Sequence, residues 1–324
     1  MQYTELGRTG IKVSRLCFGT MSFGGDADEK TSAALFNRCR DAGVNFFDCA
    51  NIYSNGRAEE ILGKLIKGSR DELVITTKVF GKMGDGPDDR GLSRPAIMKA
   101  VEASLKRLGT DRVDFYFCHM FDPAVPMEES LRAMDDLVRK GKVRHPAISN
   151  WAAWQVEKAL GLCALRKYAR VACLQPMYSL VKRQAEAEIL PMAAEEGLGV
   201  IPYSPLAGGL LTGKYAGGAR PEAGRFNSNA MYEKRYGEAW IHEAAARFAE
   251  YARAKGRHPV ALANAWVMSH PAVTAPIIGA RNLEQLEPAL GAADIALTPG
   301  ERLEISALSR EPAVATDRSE ERVI

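Results

Sequence analysis

The sequence predicts an α/β fold, a (β/α)8 TIM barrel with an N-terminal β-hairpin and a long loop on its C-terminal face. Three observations predict it. Eight apolar, strand-length runs alternate with helix-period stretches, the pattern of parallel strands joined by crossover helices. No Gly-x-Gly-x-x-Gly follows the first run, as an open dinucleotide-binding sheet would require. Polar, titratable residues close successive runs, at the end where barrel active sites are built.

The hairpin pairs Tyr3–Glu5 with Ile11–Val13 through the turn Gly7-Arg8-Thr9-Gly10. The strand runs are Leu16–Phe18, Asn45–Asp48, Leu73–Lys78, Val113–His119, Val143–Ser149, Val171–Gln175, Leu198–Tyr203 and Val273–Ile278. Helical stretches fall at Glu29–Asp41, Ala58–Lys67, Arg94–Leu108, Met127–Lys140, Ala152–Tyr168, Gln184–Glu196 and His258–Ser269. Gly43, Gly109, Gly141 and Gly197 follow their helices, where a left-handed residue is wanted. Ala207–Glu233 breaks the alternation, and its length and Gly, Arg and Asn content mark a lid or binding loop. After Gly300 a helix-like Glu301–Leu308 leads into a charged tail, expected to be poorly ordered over about residues 311–324. Without linker, repeat or low-complexity tract, residues 1–324 read as one domain.

Composition excludes several classes. The 43 basic and 40 acidic residues nearly cancel, and no basic stripe is interleaved with aromatics, so no nucleic-acid partner is expected. No apolar run approaches the roughly 20 residues that cross a bilayer. The start, Met1 to Leu6, has no apolar signal region, so a cytoplasmic protein is expected. Six cysteines are scattered without CxxC pairs or metal-ligand spacing; they read as buried thiols in a reduced protein, with no metal.

The chemistry lies at the strand ends. Asp48 closes the second run and Tyr53 follows five positions later; Lys78 closes the third and His119 the fourth. Asp48 can pair with Lys78, whose ammonium, close to the Tyr53 hydroxyl, is expected to bring the phenol's pKa toward the working range. His119 can orient a substrate carbonyl or share the proton transfer. Such a set donates a proton to a developing alkoxide but supplies no electrons, so a reduction needs a hydride donor.

From Leu6 to about Leu290 the chain resembles the aldo-keto reductases. The matching stretches are Gly19-Thr20-Met21, Asp48 to Gly63, Thr77-Lys78, Ser149-Asn150-Trp151, Gln175 to Ser179, Tyr203 to Lys214 and Gly279-Ala280-Arg281. The resemblance implies a barrel that binds NADP(H), with NAD(H) less favoured, and that reduces a small-molecule carbonyl with Tyr53 as general acid of the set Asp48, Tyr53, Lys78 and His119. It implies that Ser149, Asn150 and Gln175 hold the nicotinamide carboxamide and that Tyr203 lies against the ring. Ser204, Leu206, Gly208, Leu210 and Lys214 are implied at the pyrophosphate, and Pro205, Gly19, Thr20, Met21 and Gly279 as further cofactor contacts. Arg281 and Gln285 are implied at the adenosine end, with Arg225 as a second phosphate contact. Pro288 and Ala289 depart from a Glu-Asn pair frequent in the family near the adenine. Met21, Phe80, Met120 and Trp151 are the expected substrate walls.

Two other readings are compatible with these residues. One is a cofactor-bound interaction protein with little turnover, like the β-subunits of potassium channels; a homo-oligomer suits either it or a reductase. The other is a lyase using Lys78 as a Schiff base, which needs the neutral amine that a nearby Asp48 opposes.

Overall fold

The computed structural model describes residues 1–215, 230–316, 318 and 320. Arg225 and the expected glycine-rich stretch 217–220 lie outside the described residues, as does most of the end of the tail.

The chain opens with an antiparallel hairpin, β1 (Tyr3–Glu5) and β2 (Lys12–Ser14). Eight parallel strands follow: β3 (Cys17–Gly19), β4 (Phe46–Asp48), β5 (Val74–Val79), β6 (Val113–Cys118), β7 (Val143–Ser149), β8 (Cys173–Gln175), β9 (Gly199–Val200) and β10 (Ile277–Ile278). From β3 to β9 each pairs with its sequence neighbour, and β10 returns to β3. Closure comes from the backbone between the last two strands. Thr274 and Ala275 N–H donate to the Val200 carbonyl at 2.9 and 3.3 Å, and Ile277 N–H donates to Pro202 O at 2.9 Å. The sheet is therefore the expected (β/α)8 barrel. β9 and β10 are shorter than their apolar runs because Pro202 and Pro276 have no N–H to give a ladder. Tyr203 still extends β9, its N–H bonded to Pro176 O at 3.0 Å.

The outer layer comprises α1 (Glu29–Asp41), α2 (Arg57–Ile66), α3 (Arg94–Leu108), α4 (Met127–Arg139), α5 (Ala153–Arg166), α6 (Ile189–Glu195), α7 (Ala230–Tyr236), α8 (Ala239–Ala254), α9 (Pro259–Met268), α10 (Leu283–Leu290) and α11 (Pro299–Ser306). Asp28, Ser93, Asn282 and Thr298 cap helices by accepting from backbone N–H groups of the first turn. The glycines at 43, 109, 141 and 197 all take positive φ.

Two expectations about elements are corrected, and one element was missed. The stretch Gln184–Glu196 divides into a 3₁₀ turn, Gln184–Glu186, and α6, because Glu188 sits at φ −140° outside the helical region. The segment Ala207–Glu233 is not loop throughout: a 3₁₀ turn covers Ala207–Thr212 and α7 takes its end. Helix α8 went unpredicted, although Ile241, Ala244, Ala245, Phe248, Ala249 and Ala252 bury one face at helical spacing. Its many alanines weakened the contrast between faces.

Two apolar layers form the core. Leu6, Val13, Cys17, Phe46, Val74, Phe115, Phe117, Ala147, Cys173, Ile201 and Ala275 cluster in the barrel interior, so the hairpin plugs the end opposite the strand C-termini. Glycine is required where plug meets wall: a Cβ on Gly199 would stand 2.5 Å from Leu6 Cδ1. A larger cluster fills the space between strands and helices. All six cysteines are free and buried. Among the described residues, no helix is long and apolar enough to cross a membrane.

Candidate active site

The parallel register brings the strand-end residues to one mouth. Asp48 ends β4 beside Thr76 of β5, and Lys78 lies two positions further on, on the same face of its strand. Lys78 Nζ donates to both Asp48 oxygens, at 2.7 and 2.6 Å, and to the Cys49 carbonyl at 2.7 Å. Both partners are buried, the lysine at 0% exposure. Thr76 Oγ1 adds a hydrogen bond to Asp48 Oδ1 at 2.6 Å, and Gln175 Nε2 another at 3.0 Å. Thr20 Oγ1 holds the Asp48 backbone carbonyl at 3.0 Å.

Tyr53 opens a 3₁₀ turn, Tyr53–Gly56, in which Ser54 and Asn55 are left-handed (φ 47° and 52°). Its ring centroid lies 5.2 Å from Lys78 Nζ. The His119 ring stands nearly perpendicular to it, 6.1 Å away between centroids. His119 lies one residue past β6, its N–H bonded to Val79 O at 3.0 Å.

The electrostatics correct one expectation. Burial pushes the Tyr53 phenol up to about 12, more than the Lys78 ammonium pulls it down. The reason is that Asp48 neutralises much of that ammonium's field while burial penalises the phenolate. For Lys78 itself, burial works against the charged form, but Asp48 and Tyr53 outweigh it and its pKa is raised. His119 is held down to about 3, by burial first and by Lys78 second. Near neutral pH the mouth therefore holds a protonated phenol, an ammonium and a neutral imidazole.

A hydrogen-bonded chain runs beside this group. Ser149 Oγ donates to Gln175 O at 2.9 Å, and Asn150, left-handed at φ 59°, donates through Nδ2 to Ser149 Oγ and His119 O, both at 3.0 Å. Tyr203 OH donates to Asn150 Oδ1 at 2.7 Å. The expected carboxamide-holding residues and the expected ring-facing tyrosine are thus one connected set. Asn150, Gln175 and Tyr203 of this set border a cavity of ≈ 330 Å³ with Trp151, Met177 and Gln184.

The segment after Tyr203 turns back on itself: Ser204, Ala207, Gly208 and Gly209 all have positive φ, with Pro205 and Leu206 between them and Leu210 buried behind. Lys214 stands against Gly209, where an added Cβ would meet its Cε at 3.2 Å. Gly279 follows β10, and Ser22 Oγ ties the end of β3 to Ala280 O at 2.7 Å. Arg281 N–H donates to Gln285 Oε1 at 3.2 Å, and its guanidinium approaches Asp26 at 4.0 Å. Gly19 needs to be glycine, since a Cβ there would stand 2.7 Å from Ile277.

Of the expected substrate walls, Met21 and Met120 are 48% exposed at the mouth. Phe80 is half-buried directly after β5, and Trp151 is buried, edge-on to Phe121 at 5.1 Å. Sequence reasoning missed Thr76, Asp26 and Arg235. Thr76 was legible, being two residues before Lys78 on one strand. Arg235, whose charge lowers the Tyr203 phenol against a larger upward push from burial, lies on α7 two positions past the end of the stretch read as loop.

These residues fit a nicotinamide nucleotide. Backbone turns of mixed handedness are anion-receiving, a cation stands at the end of this one, and a guanidinium lies beyond β10.

Fold and mouth define a parallel barrel with an acid–base group at its C-terminal face. The chain belongs to the aldo/keto reductase family, whose model matches residues 15–310, and it is an oxidoreductase of the kind that acts on carbonyl groups with a nicotinamide nucleotide. It is 41% identical over 309 residues to an uncharacterized oxidoreductase of Bacillus subtilis (strain 168), YrpG, covering 92% of each chain. It is 39% identical over 315 residues to a probable voltage-gated potassium channel subunit beta of Arabidopsis thaliana, covering 92% of this chain and 94% of that one. Versiconal hemiacetal acetate reductase of Aspergillus parasiticus is 31% identical over 338 residues, with 93% and 95% covered.

Proposed function

We propose that this protein reduces an aldehyde or ketone with NADPH, Tyr53 giving the proton. The observation that carries this reading is the buried Lys78 ammonium, bonded to both oxygens of Asp48 and 5.2 Å from the Tyr53 ring. A bound reduced nicotinamide supplies the hydride to the carbonyl carbon. Everything else falls to the protein. Tyr53, protonated because burial raises it, transfers its proton to the carbonyl oxygen as charge develops there. Lys78 stabilises the phenolate left behind and keeps its own proton, and Asp48 holds it in place. Neutral His119 directs an N–H or a lone pair at the substrate without adding charge. Ser149, Asn150 and Gln175 would hold the carboxamide, Tyr203 the ring face, and the turn from Ser204 to Leu210 with Lys214 the pyrophosphate. Arg281 and Gln285 would meet the adenosine end, a fork suited to a 2′-phosphate. Met21, Phe80, Met120 and Trp151 would give the carbonyl compound an apolar approach.

The test is NADPH oxidation at about 340 nm with a panel of aldehydes, ketones and sugars, for wild type and Tyr53→Phe. Losing the proton donor should cost about 10²-fold or more in turnover. Turnover surviving in Tyr53→Phe removes the residue from its role.

The similarity to probable potassium channel β-subunits favours one second reading, a cofactor-bound interaction protein with little turnover. It gains if wild type binds NADPH, reduces nothing on a broad panel, and runs as a stable complex by mass. Schiff-base chemistry at Lys78 is disfavoured, since its ammonium is buried against a carboxylate.

A further inference from the structure

Helix α2 begins directly after the Tyr53 turn, and its first turn buries a carboxylate outside the barrel wall. Glu59 is 0% exposed. One oxygen accepts from Arg107 Nε at 2.7 Å and also lies 2.7 Å from its Nη2; the other accepts from Thr77 Oγ1 at 2.5 Å. Three elements meet there. Arg107 belongs to the last turn of α3, Thr77 is the neighbour of Lys78 on β5, and Glu59 lies six residues after Tyr53. The fit is close. A Cβ on Gly56, which ends the Tyr53 turn at φ +89°, would stand 2.9 Å from Arg107 Cδ and Nε, and one on Gly63 would stand 2.6 Å from Arg107 O.

Stability alone does not explain this joint. Burying an ion pair costs desolvation, and well-packed apolar side chains commonly serve as well or better between helices. A carboxylate with two oxygens supplies something apolar packing lacks: fixed direction toward two partners at once. The turn it supports needs such support. Ser54 and Asn55 are non-glycine residues in left-handed conformations, which persist only where the surroundings hold them. Ser54 Oγ is tied to Phe23 O at 2.8 Å on one side of the turn. Arg107 packs beneath Gly56 on the other.

We infer that Glu59 and Arg107 are positioning residues for the proton transfer, locking the Tyr53 turn to the strand that carries Lys78 through the Thr77 hydroxyl. The inference rests on Tyr53 being the proton donor proposed above. Neither residue touches the reacting atoms: their effect is the distance between phenol and ammonium, to which proton transfer is sensitive.

The test uses Glu59→Gln and Thr77→Val in the full chain. The second removes only the hydroxyl link and keeps the buried pair, so it costs the fold less than the first. Expected is a fall in kcat of about 10-fold for Glu59→Gln and a smaller fall for Thr77→Val, with KM and the NADPH dissociation constant within about twofold. Amide hydrogen exchange at neutral pH supplies a readout that needs no turnover. Tyr53 and Asn55 N–H, bonded to Ala50 O and Ile52 O at 3.1 Å each, should exchange about 10-fold faster while amides of β7 keep their protection. A folded Thr77→Val with wild-type kcat and wild-type exchange over residues 53–57 overturns the inference. If wild type reduces no carbonyl compound, the proposed function fails separately; local exchange then decides the positioning joint, and unchanged exchange overturns it.

Discussion

Gln175 Nε2 donates to Asp48 Oδ1 at 3.0 Å, joining the end of β8 to the end of β4 across the barrel mouth. That single oxygen also accepts from Thr76 and Lys78. A residue expected to hold the nicotinamide is therefore also a ligand of the carboxylate that holds the lysine. The proposed cofactor site and the proposed proton-transfer site thus meet at Asp48 Oδ1.

Gln175→Leu should consequently impair two things together. Removing a charge-assisted hydrogen bond costs about 1.5–3 kcal/mol, so kcat should fall about 10-fold or more while the NADPH dissociation constant rises. Fluorescence titration beside steady-state kinetics checks both. A variant that loses cofactor affinity but keeps kcat at saturating NADPH would separate the two sites and contradict the link.

Lys78→Met leaves Asp48 buried without its cation. Breaking a buried pair in this way costs about 3–5 kcal/mol, so the variant should unfold at markedly lower urea than Tyr53→Phe. The double variant Asp48→Asn, Lys78→Met should recover much of that loss while remaining inactive. Equal urea midpoints for Lys78→Met and wild type would show that the pair is not desolvated as described.

Two histidines should make folding acid-sensitive. His119 is held down to about 3 and His270 to about 4, in each case by burial first. Unfolded histidine titrates near 6.5, so below that pH the unfolded chain binds protons the folded one refuses. Stability is therefore full above about 6.5 and declines as pH falls toward those lower values. Melting temperature should drop between pH 7 and pH 5, and the drop should shrink in His119→Asn, His270→Asn. A slope identical to wild type would refute the assignment.

Arg281 should distinguish nucleotides. If its guanidinium meets a 2′-phosphate, Arg281→Ala should weaken NADPH binding about 10-fold or more and leave NADH nearly unchanged. Competition titration with both nucleotides measures this directly. Asp26→Asn, which removes the carboxylate 4.0 Å from Arg281, should shift NADPH affinity in the opposite direction. Equal losses for NADPH and NADH in Arg281→Ala would move the residue away from the 2′ position.

Much of this protein was legible in its chain order. Alternating apolar runs and helical stretches demanded parallel strands, and parallel strands put Asp48, Lys78 and His119 at a common end because every strand runs the same way. The glycines after the helices and the strand-end residues are local signals, and local signals survive in one dimension. What only the tertiary structure decided involves distance through space. The sequence reading expected Lys78 to draw the Tyr53 phenol down, but burial and the neutralising Asp48 decide otherwise, and neither is visible without packing. Gln175 reaches Asp48 across 127 positions, and Glu59 joins Thr77 and Arg107 from separate elements. Helix α7 escaped because it is 7 residues long and buries only Tyr232 and Tyr236, and α8 because most of its buried face is alanine. Periodicity determines which elements form; the balance of desolvation against charge is set only once those elements close around a site.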